Sequence, residues 1–266
     1  MSKKRKALFV ILGVCILAVV FFTAMIVREL LIDRQSQTFF DNLAAEVERR
    51  PESFGTGGVQ HGSGQSGETD TSETDVTEAW LPYVDFDSLS NLLPGIVGWI
   101  KLDSSPVDYP VMQYTDNDYF LVHLPDGTPQ RNGSIFLDYR NNSDFSDKSI
   151  LIYGHETREG VMFGVLKNYR DQEFYEANPI INLHTPENDF KIVIFAGHVA
   201  HSVRDHPPLQ FQNDEDFLTY IEHLKRISVF SSNTEVTAND RIVSLVTCTY
   251  DFDDARLIIV GKILDE

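Results

Sequence analysis

From Ala7 to Val27 the chain runs for 21 residues without a charge, mostly through Leu, Ile, Val, Phe and Ala. As a helix rising about 1.5 Å per residue, such a run covers about 30 Å, the thickness of a bilayer's hydrocarbon core. Lys3, Lys4, Arg5 and Lys6 precede it, and Arg28-Glu29 follow it. A cleavable secretory signal has a shorter apolar core, about 7–15 residues, and a small-residue cleavage site; no Ala-x-Ala signature follows here. The run reads as an uncleaved anchor. Its basic flank stays in the cytoplasm, which puts everything after Val27 outside the cell.

That one feature divides the chain. Residues 1–6 form a cytoplasmic basic segment and 7–27 a transmembrane anchor. Residues 28–50 show apolar positions near three- and four-residue spacing, a helical pattern that Pro51 ends. Residues 51–78 are rich in Gly, Ser, Thr, Glu and Asp and nearly free of large apolar side chains. They bury too little surface to fold and read as a flexible tether, so 28–79 is an extracytoplasmic helix and linker. The folded domain spans 80–266, long enough for one core of its own. With the four N-terminal cations set aside, 18 of the 22 Lys and Arg stand against 40 Asp and Glu, a net of −22. Such a surface repels polyphosphates and excludes nucleic acid as a partner. Asp251-Phe252-Asp253-Asp254 lacks the spacing of a calcium loop. No metal and no cofactor is expected.

Within the domain, short β-rich runs recur between turn residues: 98–102, 107–112, 134–138, 149–153, 180–184, 190–197, 241–249 and 256–264. Eight short strands without regular helical alternation argue against a doubly wound sheet and for a mainly β, closed or nearly closed barrel. Helical patches fall at 86–93, 117–122, 162–168 and, most clearly, 214–226. In the last, Phe217, Tyr220, Ile221 and Leu224 mark one face, with acids early and Lys225-Arg226 late.

The folded part holds a single cysteine, Cys248; the other, Cys15, lies in the anchor. A thiol attacks as thiolate and needs a positive neighbour or a base, whereas a free cysteine is otherwise a small buried hydrophobe. Cys248 stands where an apolar strand gives way to Thr249 and Tyr250, and Arg256 opens the next strand eight residues on. Of eight histidines, His61 lies in the tether, His184 in a strand and His223 on a helix; His123, His201 and His206 have no supporting pattern. His155 and His198 both follow an apolar strand and a glycine, which places an imidazole at a strand end. Pattern alone does not choose between them. Glu156 is adjacent to His155 and, by strand alternation, is expected to be solvated.

The stretch Ile152-Tyr153-Gly154-His155-Glu156-Thr157, with Gly160 to Leu166 after it, resembles the histidine segment of class B sortases. Thr247-Cys248-Thr249-Tyr250, with Asp254-Ala255-Arg256-Leu257, resembles their nucleophile segment. Val97 to Ile100, Val107 to Val111, Asp116 to Tyr119 and Gly133 to Arg140 match in the same order, so the resemblance covers the domain from about Trp99 onward. It implies an eight-stranded sortase-like β-barrel with a few short helices and a cysteine transpeptidase at the surface of a Gram-positive bacterium. Carried over, Cys248 is the nucleophile, His155 the general acid/base and Arg256 the cation that stabilises the oxyanion or orients substrate. Residues 214–226 match the extra helix of class B members. One departure is Ser244, where sortases commonly have Thr.

The resemblance implies cleavage of a C-terminal sorting signal after Thr through a thioester. Transfer then follows to an amine of a peptidoglycan precursor or of a pilin. The partners are surface proteins or pilins bearing that signal, and the membrane that holds the anchor. A pilin-polymerising enzyme, a cysteine peptidase resolved by water, and a non-enzymatic binding domain are the alternatives.

Overall fold

The computed structural model describes residues 3–48, 84–103, 105–157 and 161–265. The tether and the start of the domain at residue 80 lie outside them. Eight strands close a barrel: β1 (Ile96–Lys101), β2 (Asp108–Met112), β3 (Ile135–Leu137), β4 (Ser149–Tyr153), β5 (Ile180–His184), β6 (Asp189–His201), β7 (Ile242–Cys248) and β8 (Ala255–Asp265). Around the ring they run β1-β2-β3-β4-β7-β8-β6-β5. β2 pairs with β3, and β4 with β7, in parallel; every other pairing is antiparallel. Closure leaves no free sheet edge, which suits strands as short as β3.

All eight expected strands are present. Of these, β6 departs most from expectation, running on to His201 instead of ending near residue 197. The barrel is filled by inward residues that are nearly all Ile, Leu, Val and Phe, including Ile100, Val111, Ile135, Ile152, Leu183, Ile192, Leu245 and Ile259. Two expected helical patches are short 3-10 turns instead, Tyr119–Leu121 and Phe163–Arg170. A six-residue helix that the sequence pattern does not predict, α3 (Gln172–Ala177), follows the second of them. α2 (Phe86–Leu92) starts at Asp85, whose carboxylate accepts from Ser88 N at 3.0 Å.

α4 (Asp214–Ile227) is the amphipathic helix that the pattern marked. Asn213 caps it by accepting from Asp216 N at 2.9 Å, and three acids occupy its first turn. Phe217, Ile221 and Leu224 are buried, in one cluster with Phe195, Ala196 and Ala200 of β6.

The N-terminal helix α1 (Lys3–Glu48) is a single element of 46 residues, in which the apolar run continues unbroken into the helical stretch beyond Val27. It includes a helix long and apolar enough to cross a membrane, with side chains such as Leu17 and Phe22 exposed. Its C-terminal part docks on the barrel. Phe40 is buried in the main core and meets Tyr109 edge-on at 5.0 Å. Gln130 Nε2 donates to Ile32 O at 2.9 Å, and Arg131 pairs with Glu29.

Phe217→Ala is expected to cost about 3–5 kcal/mol, because the ring is fully buried and α4 cannot collapse into the gap. Leu92→Ala, at a position 63% exposed, is expected to change stability by under about 0.5 kcal/mol. Urea unfolding of the two variants checks both values.

Candidate active site

The β7–β8 hairpin decides where the thiol sits. In its antiparallel register Cys248 lies opposite Arg256, so the last residue of one strand faces the second residue of the next. The loop between them is tied down: Thr249 N donates to Ala255 O at 3.1 Å, and Thr249 Oγ1 to Asp251 Oδ2 at 2.7 Å. Arg170, at the end of the second 3-10 turn, forks onto Asp251 at 3.0 and 2.6 Å. The Arg170 and Thr249 hydrogen bonds hold the exposed Asp251 carboxyl at about 2. Arg256 Nη1 donates to Ala255 O at 3.0 Å, and among the described residues no carboxylate pairs with it. Cys248 is a free thiol, partly exposed.

His155 arrives from the other side of β7. β4 and β7 run in parallel with Tyr153 level with Val246, and Gly154 N donates to Val246 O at 3.1 Å. His155 and Cys248 each lie two residues past that level, at the same end of the barrel. The glycine between strand and histidine has a packing cause. A Cβ on Gly154 would meet the Phe163 ring at 2.8 Å. The imidazole Nε2 lies 2.8 Å from Leu121 O. A carbonyl only accepts, so Nε2 carries a proton, and in the neutral ring Nδ1 is the free base. Tyr153, His155, Cys248 and Arg256 line one cleft of about 260 Å³.

No protein-family model matches the chain. It is 36% identical over 178 residues to sortase B of Listeria monocytogenes, covering 66% of this chain and 72% of that protein. The chain belongs to the class B sortase family. It is 34% identical over 182 residues to sortase B of Staphylococcus aureus, covering 67% of this chain and 74% of that one. Among solved structures, a Staphylococcus aureus sortase B–substrate complex matches with TM-score 0.65 at 34% identity, over 68% of this chain and 84% of that one. Clostridium perfringens sortase B matches with TM-score 0.64 at 32% identity, over 67% of this chain and 99% of that one. The eight-stranded sortase barrel and the enzyme class are thereby established for this chain.

The other histidines of this sortase separate cleanly. His198 does not end a strand: it pairs with Ile258 inside the lengthened β6 and is buried. Burial, with the His223 charge behind it, pushes its pKa down to about 4, so the ring is neutral at pH 7. A Cβ on Gly197 would meet Ile259 and Phe230 at 2.8 Å, so the shared glycine-histidine pattern reflects packing in both places. His201 and His206, which lacked any pattern, do line the cleft. Ser244 and Thr247 on β7 keep buried hydroxyls without a partner, so the Ser244 exchange adds no side-chain hydrogen bond.

Sequence reasoning missed the group that holds the cleft's wall. Asp138 is fully buried and receives Arg140 Nε at 2.8 Å, Arg140 Nη2 at 2.7 Å, Asn117 Nδ2 at 3.0 Å and the Tyr153 hydroxyl at 3.0 Å. Burial alone would raise its carboxyl, but these donors, Arg140 foremost, outweigh it and bring it down to about 2. Tyr153 Oη also lies 3.1 Å from His206 Nε2, which ties the β6–α4 loop to the barrel. Arg140 is only two residues away, but Asn117 and Tyr153 reach Asp138 from other segments, and such pairings carry no local signal.

Because the folded Asp138 carboxyl lies below its unfolded value, its contribution is present above about pH 4 and is lost as pH falls toward 2. Asp138→Asn is expected to cost about 2 kcal/mol at pH 7. The gap to the wild-type protein should close as pH falls through that window. Denaturant titrations at several pH values measure it; a gap independent of pH would refute the assignment.

Proposed function

We propose that Cys248 is the nucleophile of a sortase that cleaves a C-terminal sorting signal after Thr and transfers the protein to an amine of a peptidoglycan precursor. The observation that carries this reading is the meeting of Cys248, Arg256 and His155 at one cleft. The thiolate attacks the threonine carbonyl carbon. Negative charge then develops on the carbonyl oxygen, and Arg256, which no carboxylate among the described residues pairs with, offers N–H donors for it. His155 gives a proton to the departing amine from Nδ1, while Leu121 O holds the opposite nitrogen's proton and so fixes the ring. A thioester remains on Cys248. An incoming amine loses a proton to His155, attacks the thioester carbonyl and releases the sulfur.

Residues 1–6 are cytoplasmic in this reading, 7–27 span the membrane and 80–266 form the extracellular catalytic domain of a Gram-positive cell-surface enzyme. The apolar run of α1 and its basic flank support that orientation. Anchoring of surface proteins is preferred to pilin polymerisation; the sorting motif and the acceptor decide between them.

A peptide-library cleavage assay on the full chain, read by mass with and without triglycine, gives motif, cut site and acceptor use together. Cleavage diverted into ligation supports the transferase; hydrolysis alone would make the protein a cysteine peptidase. Cys248→Ala is expected to abolish cleavage, and Arg256→Ala to slow acylation about 10²–10³-fold. His155→Ala should abolish turnover while His198→Ala leaves it intact. Equal losses at the two histidines would sink the choice of base.

A further inference from the structure

His155 borders two spaces. One is the cleft that holds Cys248 and Arg256; the other is a groove of about 660 Å³ between the barrel rim and α1. His155, Glu156 and Tyr250 stand on its rim side, and Phe22, Met25 and Ile26 of α1 form the apolar wall opposite. Tyr250 is two residues past Cys248, so the groove reaches the nucleophile's own loop.

Glu156 is the unexplained group here. It was expected to point into solvent by strand alternation, but β4 ends at Tyr153 and alternation no longer applies. Its backbone instead bridges to Met162, and Phe163 N donates to His155 O at 3.1 Å. Carboxylate oxygen Oε2 is buried and has no hydrogen-bond partner among the described residues. Arg170, whose electrostatic field Glu156 contributes to, is already forked onto Asp251. Arg131, across the groove, is paired with Glu29. A buried carboxylate oxygen without a donor is costly, and at a functional groove that cost is offset when a ligand supplies the donor. The chemistry that fits is a small cation carrying N–H groups.

The geometry points to this groove as the acceptor site, with the Glu156 carboxylate accepting hydrogen bonds from the ammonium of a primary-amine acceptor and setting it beside His155. This rests on the transferase reading above. A primary amine is an ammonium at neutral pH. One of its protons passes to His155 Nδ1, and the freed lone pair attacks the thioester carbonyl carbon. The new C–N bond forms, the C–S bond breaks with its electron pair on sulfur, and the nitrogen's second proton goes to that sulfur. The products are an amide, the Cys248 thiol and a protonated His155 that returns its proton to water. Glu156 is a positioning residue for the amine and takes no part in forming the thioester.

The test uses the full chain in lipid nanodiscs, with a peptide selected by the library assay. Product partition between hydrolysis and ligation is read with two nucleophiles at pH 7, triglycine, which is cationic at its amine, and hydroxylamine, which is largely neutral. Glu156→Gln is expected to raise the triglycine concentration for half-maximal ligation about tenfold or more, the loss of one charge-assisted hydrogen bond. The hydroxylamine value should stay put, and Glu156→Asp should recover part of the triglycine effect. No shift with triglycine, or an equal shift with both nucleophiles, overturns the proposal. A wild-type chain that forms no adduct at Cys248 overturns the transferase reading itself, and the acceptor site with it.

Discussion

The parallel pairing of β4 with β7 is the contact on which the rest of the site depends. Two strands that run the same way end at the same place, so whatever follows each of them meets at one rim of the barrel. With Tyr153 level with Val246, the residues just past the strands are His155 and Cys248. The antiparallel β7–β8 hairpin then returns Arg256 to face Cys248. Three side chains, about a hundred residues apart at the extremes, are set by two backbone registers. A slip of one residue in either would turn a side chain to the opposite face of the sheet. Closure of the barrel guards against such a slip, because each strand is held on both edges.

Charge is used sparingly within this frame. The chain carries a net −18, yet the cleft keeps one guanidinium that no described carboxylate neutralises. Two neighbouring arginines are spent on structure: Arg140 on Asp138 and Arg170 on Asp251. An excess of acids would be expected to quench Arg256 as well. Assigning carboxylates to Arg140 and Arg170 by bidentate hydrogen bonds, which fix direction as well as distance, keeps those carboxylates out of the cleft. Asp138 and Asp251 therefore act on the site from outside it, one holding its wall and the other its loop.

Most of the barrel was legible in the chain because each strand is a short apolar run bounded by turn residues, and that signal is local. What lay out of reach was set by distant partners. β6 runs on to His201 because β8 continues opposite it, with Ala200 paired to Arg256, and nothing within Gly197-His198-Val199 reports that. The same extension removes His198 from a strand end, which is why pattern could not separate it from His155. Asp138 and Tyr153 sit in plain apolar segments, and their hydrogen bond appears only once β3 and β4 are paired. α3, at six residues, is too short for a periodic signal to accumulate.

The docked helix changes what the N-terminal segment can be taken to do. A stretch that reads as a helix followed by a flexible tether suggests a domain free to tumble at the end of a leash. In the structure α1 itself meets the barrel, through Phe40 in the core, Ile32 O at Gln130 and Glu29 at Arg131. A helix of 46 residues is about 69 Å long. If its first half spans the membrane, the contacts along its second half fix how far the barrel stands from the bilayer and which rim faces it. The rim that holds His155 and Tyr250 shares a groove with Phe22, Met25 and Ile26. On that reading the candidate site opens beside the outer end of the anchor, and its position relative to the membrane follows from the packing of α1 on the barrel.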